Sequence, residues 1–307
     1  ATCAYYASPS GTSRGTGSQE SPFPSIRRLL RRLEPGQTGC LQTGVFNENV
    51  AVRHGGLIGR RLVLRAAPGA TVKVVGRLVV HAEASDVTIS GLALDGTNAT
   101  DGPSPTIDGT RIHLRGNDIT SPRAVCVFIG STLGWGVAVD TVLTGNRIHG
   151  CGTRPPTNKE HGIYIQSARG TVIEKNMIYN NADRGIQLYP DAKRTIIRRN
   201  VIWGNGEGLI FSGDGGRATS GTRVSRNIIG ASRIRYNIES YWPDVVGTDN
   251  LVGANCLWNG ARGNIGPTTG FTLAAPQVVA DPGFVDPAAG NFSRSARGAC
   301  AGFGPTG

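Results

Sequence analysis

An asparagine returns in one fixed context along this chain. It stands in Arg115-Gly116-Asn117-Asp118-Ile119, Thr144-Gly145-Asn146-Arg147-Ile148 and Glu174-Lys175-Asn176-Met177-Ile178. It recurs in Arg198-Arg199-Asn200-Val201-Ile202, Ser225-Arg226-Asn227-Ile228-Ile229 and, more loosely, Gly253-Ala254-Asn255-Cys256-Leu257. The spacings are 29, 30, 24, 27 and 28 residues. A period of this length marks a solenoid, in which each unit buries its apolar face only against its neighbours.

Within a unit the apolar runs are strand-like. Thr171-Val172-Ile173 leads to Asn176 and Ile178, then to a polar turn at Asn180-Asn181-Ala182-Asp183, then to Gly185-Ile186-Gln187-Leu188. The next unit repeats the plan with Thr195-Ile196-Ile197, Asn200, Ile202, Gly204-Asn205-Gly206 and Gly208-Leu209-Ile210-Phe211. Alternation over such short runs is the strand period, and Gly and Asn serve the corners. Three strands and three turns per unit describe a rung of a parallel β-helix. Ile173, Ile178, Ile186 and Leu188 are expected to point inward, as are Ile197, Ile202, Leu209 and Phe211. An inward Asn at one corner needs hydrogen-bond partners above and below, so the series reads as a structural ladder. A leucine-rich repeat needs denser Leu, and a TIM barrel needs long amphipathic helices between strands; neither is present.

One helix stands out, at about residues 25–34. Ile26, Leu29, Leu30 and Leu33 share a face, Arg27, Arg28, Arg31 and Arg32 share the other, Ser25 is the N-cap and Pro35-Gly36 the stop. It is placed to cover the open end of the solenoid. The expected organisation is a single all-β domain over 1–307. In it, 1–40 form the N-terminal cap, 41–265 the rungs, and 266–307 a Pro-rich irregular tail packed on the solenoid.

Six cysteines show no Cys-x-x-Cys spacing, which favours disulfides over metal. The expected pairs are Cys3–Cys40 at the cap, Cys126–Cys151 across adjacent rungs and Cys256–Cys300 pinning the tail. Disulfides imply an oxidising compartment, the start is read as a mature form whose signal peptide has been removed, and no apolar run is of membrane length, so a secreted, extracellular or periplasmic protein is expected, without a membrane partner and monomeric by default. The net charge is +11, from 32 basic and 21 acidic residues. That field draws polyanions, while nucleic acid is disfavoured by the lack of a recognised motif or aromatic platform.

Tyr5-Tyr6-Ala7-Ser8-Pro9-Ser10-Gly11, then Ser21-Pro22-Phe23 and the capping helix, resemble the opening of many secreted right-handed parallel β-helix proteins. The repeats with Asn176-Met177-Ile178 and Gly185-Ile186-Gln187-Leu188 are similar to the same pectin-lyase-like superfamily. The resemblance covers nearly the whole chain. It implies a right-handed parallel β-helix, and it admits polysaccharide lyases, glycoside hydrolases, uronate epimerases and non-enzymatic surface proteins. The polygalacturonase-like elements Asn-Thr-Asp and Asp-Asp do not occur, and Glu160-His161-Gly162-Ile163 only faintly matches Gly-His-Gly. Tyr189-Pro190-Asp191 does not match the Asp-Pro-His-Asp of alginate-type epimerases. Lyases are left, partly by elimination.

Four segments align as successive rungs. They are His161-Gly162-Ile163-Tyr164-Ile165-Gln166, Arg184-Gly185-Ile186-Gln187-Leu188-Tyr189, Glu207-Gly208-Leu209-Ile210-Phe211-Ser212 and Tyr236-Asn237-Ile238-Glu239-Ser240-Tyr241. With Ile163, Ile186, Leu209 and Ile238 inward, Tyr164, Gln187, Ile210 and Glu239 face outward. β-Elimination at a uronate needs the carboxylate neutralised, a base for the α-proton and an acid for the leaving oxygen. Arg184 and Lys193 are read as neutralisers, His161 or Lys159 as base, and Tyr164 or Tyr189 as acid. Gln166, Gln187, Lys193, Arg194, Glu239, Tyr241 and Trp242 are read as substrate-binding. The expected partner is an acidic polysaccharide. A non-catalytic binding module is the main rival, and it predicts that Arg184 pairs with Glu207. No cofactor is required; Asp191, Asp214 and Asp244 are weak candidates for calcium, should they converge across rungs.

Overall fold

The structure is a computed structural model that describes residues 2–99, 102–131 and 136–305. Its strands stack into three parallel sheets of eleven, ten and ten strands among the described residues, and the chain visits the sheets in turn. One rung runs Val172–Glu174 in the first sheet, Met177–Tyr179 in the second and Arg184–Lys193 in the third. Ile173, Ile178, Ile186 and Leu188 are fully buried, and so are Ile197, Ile202, Leu209 and Phe211 one rung on. A single continuous apolar column results, as the alternation requires.

The asparagines form an unbroken ladder. Asn176 Nδ2 donates to Asn200 Oδ1 at 3.0 Å and to the carbonyl of Leu143 at 2.9 Å, and its Oδ1 accepts from the Asn146 amide at 2.9 Å. The same contacts recur from Asn117 to Asn255, where Gln277 closes the series. The left-handed residue at this corner is the one before each Asn: Gly116, Gly145, Lys175, Arg199 and Arg226 all have φ between 56° and 64°. A second ladder at the next corner joins Cys151, Asn181 and Asn205, residues that the sequence shows only as polar turns.

The capping helix is shorter than its heptad-like spacing suggests. It covers Ile26–Leu30, with Ser25 accepting from the Arg28 amide, and Leu33 stays buried beyond its end. Glu48 meets the free amides of Ile26 and Arg27. Strand Tyr5–Ala7 already pairs in the first sheet. Thr272–Leu273 and Val278–Val279 continue two sheets beyond residue 265. Three disulfides join Cys3–Cys40, Cys126–Cys151 and Cys256–Cys300. No helix among the described residues is long and apolar enough to cross a membrane.

Candidate functional site

The third sheet carries the site. Its register is the expected one: Tyr164 pairs with Gln187, Gln187 with Ile210 and Ile210 with Glu239. Glycine makes the strand entrances possible. A Cβ on Gly185 would lie 2.6 Å from Ile202 and 2.8 Å from the carbonyl of Gly208, and one on Gly208 would lie 2.2 Å from the carbonyl of Asn237. The residues just before these glycines are thereby stacked closely, which brings His161, Arg184 and Glu207 together.

They form a buried charge cluster. Arg184 Nε donates to Glu207 Oε2 at 2.9 Å and its Nη1 to Asp183 Oδ2 at 3.1 Å. Arg235 Nη1 bridges Asp183 Oδ1 and Glu207 Oε2, each at 3.1 Å. Asp183 and Glu207 are fully buried. Glu207 is pushed up to about 8 by burial, against the pull of Arg184 and with a push from the nearby Glu239 carboxyl, and its Oε1 has no hydrogen-bond partner. Desolvation of a fully buried carboxyl, with a second acid nearby, explains that direction. His161 is 1% exposed, and burial, then Arg184 and Arg235, hold it well below the usual imidazole range. Its Nδ1 lies 3.4 Å from Asp183 Oδ2, outside hydrogen-bonding geometry.

In front of this cluster opens a cleft of about 760 Å³. Tyr164 forms its floor. The ring meets Phe128 edge-on at 5.0 Å, His161 edge-on at 5.6 Å, and Tyr189 nearly parallel at 6.3 Å. Burial pushes the Tyr164 phenol up to about 12, while a hydrogen bond from Gln166 pulls the other way. Tyr189 donates to Asp214 Oδ2 at 2.6 Å, and that bond, ahead of burial, pushes its phenol to about 12. A one-residue bulge between the strands of Tyr164 and Tyr189 swings Tyr189 toward the cleft. Tyr241, 65% exposed, stands at the rim.

The loop before His161 folds around its own carboxylate. Glu160 accepts from the Thr157 amide at 2.8 Å, the Thr157 hydroxyl at 2.5 Å and the Lys159 amide at 3.0 Å. Asn158 accepts from Arg184, tying the loop to the cluster. Lys159 is thus presented at the cleft, exposed. Arg123 faces the same space from the preceding rung. Neither cation forms an ion pair among the described residues.

Several sequence expectations need correction. Arg184 is not a free neutraliser: Asp183, Glu207, Asn158 and Gln187 engage it. Lys193 is held by Asp191 at 3.1 Å and by the Ala218 carbonyl, away from the cleft. Arg194 is an exposed corner residue with φ 53°, also outside the cleft. Trp242 donates to the Thr269 carbonyl at 2.7 Å and packs over Gly270 against the core, so its face is not offered to a sugar. Glu239 lies beside Glu207, half-buried and not lining the cleft, and Gln166 serves the Tyr164 hydroxyl. Gln187 and Tyr241 do line the cleft. Asp191, Asp214 and Asp244 have separate partners, and among the described residues no group of three His, Cys, Asp or Glu residues is arranged to hold a metal ion. The sequence reading missed Asp183, Arg235, Arg123 and Asn158. The one available signal was Asp183 beside Arg184, since a buried guanidinium needs acceptors.

A family model described as the right handed beta helix region matches residues 79–256. The chain belongs to the right-handed β-helix family. A stretch of 99 residues of this right-handed β-helix is 27% identical to the uncharacterized protein YwoF of Bacillus subtilis (strain 168). That stretch covers 29% of this chain and 21% of YwoF, so the chain spans about a fifth of that relative's length. The fold is similar to that of pectate lyase Pel9A, with a TM-score of 0.67 and 14% identity over 99% of this chain and 87% of that one. It is also similar to a glycoside hydrolase, with a TM-score of 0.62 and 9% identity over 89% and 96%. These likenesses define a pectin-lyase-like right-handed β-helix fold. One such fold hosts both a lyase and a hydrolase, so the chemistry has to be argued from the cleft.

Proposed function

We propose that the protein is a polysaccharide lyase that cleaves an anionic, uronate-containing glycan by β-elimination in the Tyr164 cleft, outside the cytoplasm. The observation that carries this reading is the meeting, in one cleft, of Arg123 and Lys159, neither of them in an ion pair, with phenols held protonated. Arg123 neutralises the uronate carboxylate, which acidifies the proton at C5. Lys159 Nζ, exposed at the cleft, is the group that takes that proton. The released electron pair forms the C4–C5 double bond, and the C4–oxygen bond breaks. Tyr164 donates its proton to the departing oxygen: Gln166 donates to this phenol, so its own O–H is free, whereas that of Tyr189 is committed to Asp214. His161 supports the ring of Tyr164 and is too buried to accept a proton cheaply.

Hydrolysis would need two carboxyls facing each other across the bond. The cleft wall offers Glu160, whose oxygens are taken by its own loop, and Asp214, which is bonded to Tyr189. A binding-only role is the second reading. The Arg184–Glu207 pair and the stacked Tyr164 and Tyr189 favour it.

Alginate, polygalacturonate, glucuronan and glycosaminoglycans should be offered in turn, with the ultraviolet absorbance of an unsaturated uronate followed and products weighed. A rise on one polymer, abolished in Lys159→Ala, is expected. Retention on a polyanion with no product on any of them would leave the binding role; saturated products would sink elimination.

A further inference from the structure

Beside the Tyr164 cleft, on the same sheet, lies a second pocket of about 450 Å³ that the chemistry above does not use. The two share Pro103 and Phe128, so they adjoin. Strand pairing explains its content. Val52, Val80 and Ile107 are in register and point inward. The residues that follow them, Arg53, His81 and Asp108, therefore form a row one step past the strands. Arg77, just before Leu78, closes the other side.

Two groups in this pocket are incompletely satisfied. Asp108 is 2% exposed, and its Oδ1 has no hydrogen-bond partner. Arg77 Nε is likewise buried and unpartnered. The two do not meet each other within ion-pair distance, although Arg77 is the cation that Asp108 feels most. Burial pushes Asp108 up to about 6, with Arg77 opposing. A buried donor and a buried acceptor left without partners each lose the hydrogen bond that water gave them, so a ligand that satisfies both is favoured here. Arg53 lies on the exposed rim, 3.5 Å from His81 Nδ1, and adds a second positive charge. His81 is held below its usual range by burial, then by Arg53, and stays neutral.

We propose that the Arg77–Asp108 pocket is a distal subsite for the same glycan, in which the guanidiniums of Arg77 and Arg53 take a sugar carboxylate and Asp108 accepts a sugar hydroxyl. A ligand that supplies both an anionic acceptor and a neutral donor on one ring is a uronate. The inference rests on the reading of the Tyr164 cleft as the site where a uronan is bound. The strand of Thr106 is three rungs from that of Gln187, about 14 Å at the usual rung spacing of ~4.8 Å. Tyr164 itself is two rungs from Thr106, about 10 Å, so a dimer seated between Tyr164 and Gln187 stops short of Asp108, whereas a hexamer spans both. Long chains are therefore gripped at two places, which selects internal cleavage of polymer over trimming of short ends.

The test is a titration of the full chain with dimers and hexamers of galacturonate, of mannuronate–guluronate and of glucuronate. The wild type, Asp108→Leu and Arg77→Ala are compared, with melting curves to verify folding. At least one hexamer should bind the wild type more tightly than its dimer. Each variant should lose about tenfold or more on that hexamer and nothing on the dimer, since a hydrogen bond to a charged group contributes about 1.5–3 kcal/mol. Equal affinity for dimer and hexamer, unchanged hexamer affinity in both folded variants, or no binding of any oligomer would overturn the subsite. The lyase reading fails separately: length-dependent binding lost in the variants, without unsaturated product, removes elimination and keeps the subsite. Cleavage that is indifferent to both variants does the reverse.

Discussion

Replacing Arg184 with Met tests whether this guanidinium is an internal strut or a substrate ligand. The side chain is nearly sealed from solvent, and it holds two fully buried carboxylates at 2.9 and 3.1 Å. Met has similar volume and no charge, so packing survives while Asp183 and Glu207 are left with Arg235 alone. Removing one partner of a buried pair costs about 3–5 kcal/mol, because the orphaned charge stays desolvated. Glu207 can relieve part of that by holding its proton more firmly, which places the expected loss at the lower end, about 3 kcal/mol. Glu207→Gln in the same chain removes one of the two stranded carboxylates, leaving Asp183 with Arg235, so the double variant should be less damaged than the sum of the singles by about 1–3 kcal/mol. Urea midpoints near neutral pH, with the denaturant slope compared between variants, give these differences. The release of Asn158 also frees the loop that presents Lys159, so turnover on any cleaved uronan should fall. Unchanged stability in Arg184→Met together with a large rise in KM would refute the strut and return Arg184 to direct carboxylate binding.

Lys159→Ala and Tyr164→Phe should each lower kcat by about 10²-fold or more, the usual scale for a lost proton-transfer group; Lys159→Ala should not change the melting temperature, since its side chain is exposed. Glu207 keeps its proton in the folded chain up to about 8 while the unfolded chain loses it near 4.5, so stability should fall as pH rises through that window, and Glu207→Gln should flatten the slope. His161 acts on the acid side: the unfolded imidazole takes a proton below 6.5 and the buried one does not, so stability should also decline below that pH, less so in His161→Gln. Asn176→Ala strands the Asn146 amide and the Leu143 carbonyl inside the corner, and should cost about 2–5 kcal/mol in chemical denaturation.

The periodic part of the molecule was legible in the linear order of residues. A repeat that cannot bury its own face must stack, and alternation within each run settles which side chains enter the column. Hence Ile163, Ile186, Leu209 and Ile238 were assigned inward correctly, and with them the outward register of Tyr164, Gln187 and Ile210. The ladder asparagines were readable for the same reason, because a buried amide recurring at one position has only its copies to bond.

What tertiary structure alone decided is which of the outward and entrance groups are free. Arg184, Lys193 and Trp242 carry the right chemistry, yet Glu207, the Ala218 carbonyl and the Thr269 carbonyl, each from the next rung, engage them, and no local pattern reports that distance. Arg123 and Lys159 became the open cations because two loops of irregular length converge on one cleft. Asp108 likewise follows an ordinary short strand, and its unpartnered oxygen exists only because Arg77 approaches from another rung without reaching it. Burial and pairing depend on neighbours about 25 residues away in sequence, so the fold follows from the repeat and the site follows from the contacts between repeats.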